Sequence, residues 1–544
     1  IRDFCLSRGV GDVYKRQVMQ HLVTAWHLAS DYNEADKICL RFRDAHPKSV
    51  LLPAVLFRHA ENAYFQALAA EKMPNPTDRA REVGRWNDEA IKRYQILVEK
   101  YPEFAYTNLA RYGLGMAYYR KGEFDKAKEK LEAIPAADRN GDLALVSYQL
   151  ADILIRQAPA KADDALAAGK LEEQLKTAIE LLEGFAGSQP NGPQTADALF
   201  KLGHCQQRLA GLLAQPPDQA KALAAARAAY EQILQRFPKD PLQPQAHFER
   251  AKILAQSKDI NGAINELRRF VNEPLKNASV APMALLHLAT LLRGQNNPQE
   301  AATVLAQCRQ QHEQNLLKDP ARASWVPLLQ YHQGVALREA GKRREAKEIL
   351  DLVVRQSSGH SASADAALRA GQCLKDEGQQ KITEGHKRLS QPNLKAEEQA
   401  AARKIIEDGI KDVRDAVQYF VAQAEQLRQK QPASEARARM LYEAAWGSRI
   451  VAEQEVESAR HKMQQDLWQK HRDEVAKKTP AGRQPPFVPT PEVPLKLVPL
   501  QPAEQETRKH YQNLMDAFPD LTINADARFE LAELLGGLQR HQLE

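Results

Sequence analysis

The chain has 544 residues, of which 43% are hydrophobic and 27% are charged, and its formal net charge is +6 at pH 7. This composition supplies a packed core and argues against a disordered, collagen-like or membrane-spanning chain, because the apolar runs are far shorter than the ~20 residues of a membrane helix. So small a charge excess also argues against a nucleic-acid partner, which would require a clustered basic face.

The N-terminal segment, residues 1–17, shows neither helical nor strand periodicity. Its sequence, IRDFCLSRGVGDVYKRQ, resembles the adapter read-through found at the ends of metagenomic assemblies. We therefore expect residues 1–17 to be non-native, and the fold prediction starts at residue 18. Because the chain begins with Ile1 and not with Met, its start leaves the cellular compartment open.

An amphipathic helix–turn–helix pattern recurs through residues 18–380. In the clearest copy, residues 108–135, Gly115 on the first helix precedes Ala127 on the second by twelve positions. Small residues at such positions let two helices approach closely. The same offset links three further pairs, Ala251 and Ala263, Ala289 and Ala301, and Gly334 and Ala346.

The second helices of several copies end at a proline, which cannot continue a helix and disfavours helix in the residue before it. The prolines are Pro47, Pro102, Pro238 and Pro519. These units resemble the tetratricopeptide repeat (TPR), a helix–turn–helix of ~34 residues. The resemblance implies an all-α fold, a right-handed α-solenoid with about eight repeats in residues 18–380.

Several repeats contain inserts between their two helices, rich in proline, alanine or charge, which a solenoid tolerates because each repeat needs only its neighbours. These inserts are residues 71–83, 159–169 and 215–219. The repeats resume in residues 503–544. The last unit stops at Glu544, where its second helix should begin, so we expect the natural protein to continue.

The pattern changes in residues 381–478, which we predict to form a long helical pair inserted in the solenoid. Its first helix carries apolar residues at alternating spacings of four and three, as in a coiled coil. These are Ile406, Ile410, Val413, Val417, Phe420, Ala424 and Leu427. The pair either projects as an antiparallel arm or packs on its neighbours as an overlong TPR pair. A third hypothesis, a structural stalk or oligomer, requires this seam to be intermolecular.

Residues 479–502 are rich in proline, with eight of the 30 prolines of the chain. Proline fixes the backbone in an extended or polyproline II conformation. The segments PFVP and PEVP match the PxxP form that aromatic grooves bind. Apolar residues are interleaved with the prolines, so we favour an intramolecular strap along the solenoid over a docking peptide.

The sequence has no motif of established chemistry: no P-loop, HExxH, GxSxG or CxxC occurs. The histidines form no ligand cluster. The cysteines beyond residue 17 are more than 60 residues apart and are predicted to be reduced thiols in the core. They are Cys39, Cys205, Cys308 and Cys373. We predict no catalytic, cofactor-binding or metal-binding residues, and no cofactor.

Candidate partner-binding residues come from the first helices of the repeats, whose surface lines the groove of a curved helix-pair array. Arg111, Tyr112, Tyr119 and Tyr331 lie off the packing frame, so they could face that groove. Exposed tyrosine and arginine are frequent anchors of protein interfaces. The alternative is that these side chains pack between neighbouring repeats.

The repeat endings, with Tyr or Phe eight residues before the closing proline, are similar to those of bacterial outer-membrane assembly lipoproteins, of Tol–Pal coordinators and of large planctomycete-type TPR proteins. The resemblance implies a non-catalytic scaffold that binds protein or peptide partners in the solenoid groove, in a periplasmic or envelope setting. The alternatives are a cytoplasmic protein and the recognition half of a larger enzyme whose catalytic domain is missing from this chain. The oligomeric state stays open.

Overall fold

A computed structural model describes residues 8–430, 432–479, 484 and 486–538, which form 21 α-helices and short 3₁₀ turns, with no strand among them. The chain divides into two compact units, Ile1–Glu266 (unit 1) and Leu267–Glu544 (unit 2). The helices are α1 Arg8–Leu28, α2 Tyr32–Ala45, α3 Leu52–Ala70, α4 Pro76–Lys100, α5 Thr107–Arg120, α6 Phe124–Glu132, α7 Leu145–Gln157, α8 Ala165–Ser188, α9 Thr195–Ala210, α10 Pro216–Arg236, α11 Gln243–Gln256, α12 Ile260–Arg268, α13 Ala281–Gly294, α14 Pro298–Leu317, α15 Trp325–Glu339, α16 Arg343–Gln356, α17 Ala362–Leu389, α18 Ala396–Lys430, α19 Glu435–Lys478, α20 Pro502–Ala517 and α21 Thr522–Gly537.

Each helix packs against the next in sequence, from α1 to α11 in unit 1 and from α13 to α21 in unit 2. Odd-numbered helices up to α17 are the first members of the repeats (helix A), and even-numbered ones the second (helix B). The twelve-residue offset is confirmed as a packing contact. A Cβ at Gly115 would lie 3.4 Å from the carbonyl oxygen of Ala127, and one at Gly334 would lie 3.3 Å from that of Ala346. The same two Cβ atoms would lie only 2.8 Å and 2.5 Å from the side chains of Leu131 and Leu350. Only glycine permits so close an approach.

The predicted helix stops are confirmed: α2, α4, α10 and α20 each end two residues before their proline. The predicted inserts, however, are mostly helical. Helix α4 begins at Pro76, where Asn75 caps it by accepting hydrogen bonds from the amides of Thr77 and Asp78. Likewise, α8 begins at Ala165 and α10 at Pro216. Residues 76–83, 165–169 and 216–219 of the inserts therefore lengthen helix B at its N-terminus, while residues 71–75 and 159–164 form loops.

The first helix also extends further than its periodicity indicated. Helix α1 begins at Arg8, so it includes residues 8–17, although their pattern is not helical. Val13 and Tyr14 in this extension are exposed, which explains why no apolar period marks it. Residues 1–7 lie outside the described part, and the non-native origin of residues 1–17 stays a prediction.

Three long helices, α17, α18 and α19, form the centre of unit 2. The heptad seam of α18 packs along α17 in the same chain, with Gly371 against Phe420, Gly378 against Val413 and Gly385 against Ile406. Three glycines thus match three seam residues, each series spaced by seven, in antiparallel order. The seam is therefore covered within the chain, which removes the basis of the intermolecular-seam hypothesis.

Helix α19 has two different parts. Up to Val456 it has buried residues that pack on α17, α18 and α20. From residue 457 to 478 none of its side chains is buried. Residues 486–499 run beside this second part as an extended segment, interrupted by a 3₁₀ turn at Leu495–Leu497. We call residues 486–499 the strap; the division of the chain into the domains named above stays a prediction.

Candidate functional site

An aromatic cavity of about 620 Å³ opens on the helix A surface of unit 1. Helices α1, α3 and α5 form its walls, and Tyr94 of α4 reaches it from the helix B layer. Its volume is in the range that holds one or two large side chains or a small ligand. The lining residues are Gln20, Thr24, Ala54, Phe57, Arg58, Glu61, Tyr64, Phe65, Tyr94, Phe104, Tyr106, Leu109, Tyr112, Gly113, Met116 and Asp142.

The floor of this cavity depends on a glycine. A Cβ at Gly113 would lie 2.5 Å from Cζ of Tyr94, so the tyrosine ring can lie against α5 only because residue 113 has no side chain. Tyr94 is buried, and burial raises the pKa of its phenol well above the ordinary value. Helix B of one repeat (α4) thus meets helix A of the next (α5) partly through an aromatic ring, beside the aliphatic residues of their shared core.

One wall of the cavity is a cluster of aromatic rings. Phe57 stacks on Tyr106 with ring centroids 6.1 Å apart, and Phe104 meets Tyr106 edge-on at 5.5 Å. Phe104 and Tyr106 come from the turn between α4 and α5, so the turn folds back over α3. Tyr106 keeps 54% of its surface exposed, which leaves an apolar edge available to a partner.

The polar groups of the cavity are the phenols, the ion pair of Arg58 and Glu61, and the side chains of Gln20, Thr24 and Asp142. Arg58 and Glu61, one turn apart on α3, form a salt bridge, so their charges compensate each other. The phenols of Tyr64, Tyr94 and Tyr112 form no hydrogen bond with any described residue. Burial raises the pKa of Tyr112 to about 12, so its phenol stays protonated and able to donate. The cavity therefore combines aromatic surface with hydrogen-bond donors and acceptors.

Of the four candidate residues, only Tyr112 lines this cavity. Arg111, its neighbour on α5, donates a hydrogen bond from Nη1 to Oδ1 of Asn108, 2.7 Å away. The phenol of Tyr119 donates to Asp152 on α7, the next helix A. In unit 2, the phenol of Tyr331 donates to Asp365 on α17, again the following helix A. Tyr119 and Tyr331 thus join neighbouring repeats.

The Tyr119 contact belongs to a buried polar network. Asp152 is 3% exposed and accepts hydrogen bonds from Nε of Arg156 at 2.6 Å and from Nζ of Lys201 at 2.8 Å. Burial acts to raise the pKa of Asp152, but the hydrogen bonds from Lys201, Tyr119 and Arg156 outweigh it and lower the pKa. A carboxylate with so many partners is a structural element, and we assign it no role in binding.

Sequence reasoning named Tyr112 but missed most of the other aromatic residues of the cavity. Phe57, Tyr64 and Phe65 lie on α3 at i, i+7 and i+8, which is one helix face. That spacing was a usable signal, although it does not distinguish a groove from a core. Phe104 and Tyr106 lie in a turn, where no periodicity marks them.

The other chemistry-bearing residues do not converge. Within the described residues, no group of three or more histidine, cysteine or acidic side chains is arranged for a metal ion. Cys39, Cys205, Cys308 and Cys373 are free and buried, as predicted. Burial raises the pKa of the first three thiols to about 12 and that of Cys373 to about 11. These thiols are therefore poor nucleophiles and poor metal ligands in the folded chain.

Two family models match the sequence, one described as a tetratricopeptide repeat over residues 78–142 and one as a tetratricopeptide repeat-like domain over residues 204–348. The chain contains tetratricopeptide repeats. The matched segments include α5, α6 and most of α4, and the run from α10 to α15, where the twelve-residue offset is clearest. Together they make up less than half of the chain, and their family is one whose repeats generally mediate protein–protein interaction.

Several solved structures match the chain at low sequence identity. The C-terminal part of a TPR repeat-containing protein from Cytophaga hutchinsonii is 11% identical, with a TM-score of 0.39 over 57% of this chain and 98% of that one. The apo form of RapI is 10% identical (TM-score 0.37; 74% and 98% covered). Naa15/Naa10 bound to HypK-THB is 13% identical (TM-score 0.36; 97% and 79% covered).

No curated protein matches the chain. Throughout the described part of the chain, every helix is too short or too polar to cross a lipid bilayer.

Proposed function

We propose that the chain is a non-catalytic interaction scaffold whose helix A surface in unit 1 binds an extended or helical segment of a protein partner. The observation that carries this proposal is the aromatic cavity, which opens on the surface that TPR pairs turn towards the groove. In this proposal the cavity receives one large apolar side chain of the partner, and the rest of the segment lies along α1, α3 and α5.

The chemistry of the cavity supports this occupant. Burying one leucine or phenylalanine side chain contributes roughly 2–3 kcal/mol, which is the scale of an interface hot spot. The phenols of Tyr64 and Tyr112 supply donors for a carbonyl oxygen of the bound backbone. Because Arg58 and Glu61 already neutralise each other, Asp142 is the remaining charged side chain of the lining, and we expect the aromatic surface to contribute more than charge to the choice of segment.

The test is to fill the cavity from its rim. Ala54 lines the cavity, so Ala54→Trp places an indole in the space. Ala69 lies on the same helix, is exposed and does not line the cavity, so Ala69→Trp is the matched control. A phage-displayed library of random twelve-residue peptides is selected on the native chain, and the affinity of each enriched peptide is measured for both variants.

We expect the enriched peptides to share a Phe, Trp, Leu or Met, to lose at least tenfold in affinity for Ala54→Trp and to bind Ala69→Trp as they bind the native chain. Peptides that bind Ala54→Trp equally well would show that the cavity is not the site. Unchanged circular dichroism of both variants would establish that the fold is intact.

We also propose bacterial envelope assembly as the cellular setting, a proposal that rests on the resemblance of the repeat endings. The chain and its Ala54→Trp variant, each immobilised, are exposed to detergent extracts of bacterial envelopes and to cytosolic extracts. A protein retained from the envelope extract by the native chain and lost with the variant would support this setting. Retention from the cytosolic extract alone would contradict it.

A further inference from the structure

Three side chains of α19 hold the strap by its main-chain carbonyls. Nε of Arg460 donates to the carbonyl of Val493 at 2.8 Å, and Nε2 of Gln464 to that of Pro491 at 3.0 Å. The indole Nε1 of Trp468 donates to the carbonyl of Val488 at 2.9 Å. The three donors are spaced by four along α19, so they form a single stripe, and the strap runs antiparallel to the helix.

This pattern is a mode of recognition that suits a proline-rich segment. A polyproline II backbone makes no internal hydrogen bonds, so all of its carbonyls are free to accept from outside. Proline has no backbone N–H, so the carbonyl oxygens are the main hydrogen-bonding groups of such a segment. A stripe of arginine, glutamine and tryptophan donors therefore binds the carbonyl oxygens of an extended backbone. Such binding does not require particular side chains in the bound segment.

The two ends of the strap are held very differently. Val493 and Val498 are each 1% exposed and pack against Val456 and α21. None of residues 486–490, in contrast, is buried: all but the half-buried Val488 are exposed, and Phe487 is 91% exposed. This N-terminal half is held by the hydrogen bonds from Gln464 and Trp468. A segment with few buried apolar contacts opens at low free energy.

We propose that the α19 face formed by Arg460, Gln464 and Trp468 is a binding site for extended proline-rich peptides. Residues 486–493 are its resident occupant, and a proline-rich segment of a partner protein replaces them. The tether gives the resident segment an effective concentration on the order of millimolar, so an external peptide competes only when it is abundant or binds more tightly. This site lies in unit 2 and does not depend on the aromatic cavity of unit 1.

The first experiment frees the site. In the full chain, residues 486–493 are replaced by a Gly/Ser segment of equal length, and a fluorescein-labelled peptide with the sequence of residues 486–494, PFVPTPEVP, is titrated by anisotropy. We expect the peptide to bind this variant at least tenfold more tightly than the native chain. Equal binding to both chains, with circular dichroism unchanged, would overturn the proposal.

A second experiment compares two glutamines of the same helix. In the Gly/Ser variant, Gln464→Leu removes one donor of the stripe, whereas Gln469→Leu removes an exposed side chain that bonds only to Asp473 among described residues. We expect Gln464→Leu to weaken peptide binding several-fold and Gln469→Leu to leave it unchanged. Equal losses in the two variants would overturn the assignment of the stripe.

A third measurement applies even if the Gly/Ser variant does not fold. Trp468→Phe in the native chain keeps a ring but removes the N–H donor to Val488. We expect chymotrypsin to cleave after the exposed Phe487 several-fold faster in this variant, and an unchanged rate would count against the proposal. Light scattering tests whether a second copy of the chain is the occupant. If the native chain is a dimer and Gln464→Leu is a monomer, a second copy occupies the site, and the proposal of a different partner protein is wrong.

Discussion

Replacing Gly378 by alanine adds a methyl group where the backbones of α17 and α18 touch. The new Cβ would lie 2.6 Å from the carbonyl oxygen of Gly409 and 2.9 Å from the amide nitrogen of Val413. Ordinary carbon–oxygen contacts begin near ~3.4 Å, so the helices must separate by almost 1 Å. Because the obstacle is backbone, no change of rotamer can relieve it.

The magnitude follows from two opposing effects. Overpacking of this kind costs about 3 kcal/mol, at the upper end of its usual range, since two rigid helices must shift. Alanine in place of glycine in a helix raises helix stability by about 1 kcal/mol. We therefore expect Gly378→Ala to destabilise the α17–α18 pair by about 2 kcal/mol, which is roughly a 30-fold change in an opening equilibrium.

Hydrogen–deuterium exchange measured by mass spectrometry is the appropriate assay, because a repeat protein need not unfold in one step. Amides of α17 and α18 should exchange about 30-fold faster in Gly378→Ala. Gly84, in the interior of α4, has nothing within 4 Å of its Cβ position, so Gly84→Ala should slow exchange in α4. Exchange in Gly378→Ala that is unchanged or slower would refute the argument from backbone contact.

Three further predictions use the same exchange measurement. Tyr119→Phe removes a hydrogen-bond donor to the buried Asp152 and should destabilise α5 and α7 by about 1.5 kcal/mol. Unchanged exchange rates in α5 and α7 would mean that a water molecule takes the place of the phenol as donor. Lys375→Met removes the cation that pairs with the half-buried carboxylate of Glu443, which keeps one hydrogen bond from Gln372. The change should cost α17 and α19 about 2 kcal/mol, of which Glu443→Gln should restore a part. Burial lowers the pKa of His59 from 6.5 to about 3, so the unfolded chain binds the extra proton between these values. The equilibrium constant for opening around α3 should then rise by up to tenfold per pH unit as pH drops from 6.5 towards 3, and this dependence should become weaker in His59→Gln.

The repeats could be predicted because each rests on local rules. Two small residues twelve positions apart mark the closest approach of helix A and helix B, as Gly115 and Ala127 show. A proline marks the end of a helix wherever it follows an amphipathic run. Pro76 and Pro216 led to a wrong prediction, because both were assigned to inserts between helices. Each lies in the first turn of a helix, where the backbone amide that proline lacks would have no partner within the helix.

The aromatic cavity was harder to predict from the sequence because its walls come from three repeats. The cavity wall combines Phe57 of one repeat, Phe104 of a turn and Tyr112 of the next repeat, and no single period connects them. Similarly, the sequence around Tyr119 is typical of a groove residue. Its phenol instead donates a hydrogen bond to Asp152, 33 residues away, so Tyr119 packs between neighbouring repeats. Spacing along one helix cannot reveal a partner on another.

The four buried thiols give the chain a built-in set of reporters of local opening. Cys39, Cys205, Cys308 and Cys373 lie on α2, α9, α14 and α17, so each samples a different part of the array. Folding suppresses their alkylation, since a thiol must reach solvent and ionise before it reacts. Their separate alkylation rates under native conditions would therefore rank the stretches of the solenoid by how often each opens. Equal rates would mean that the array opens as a whole, and a gradient would mean that it opens from one end.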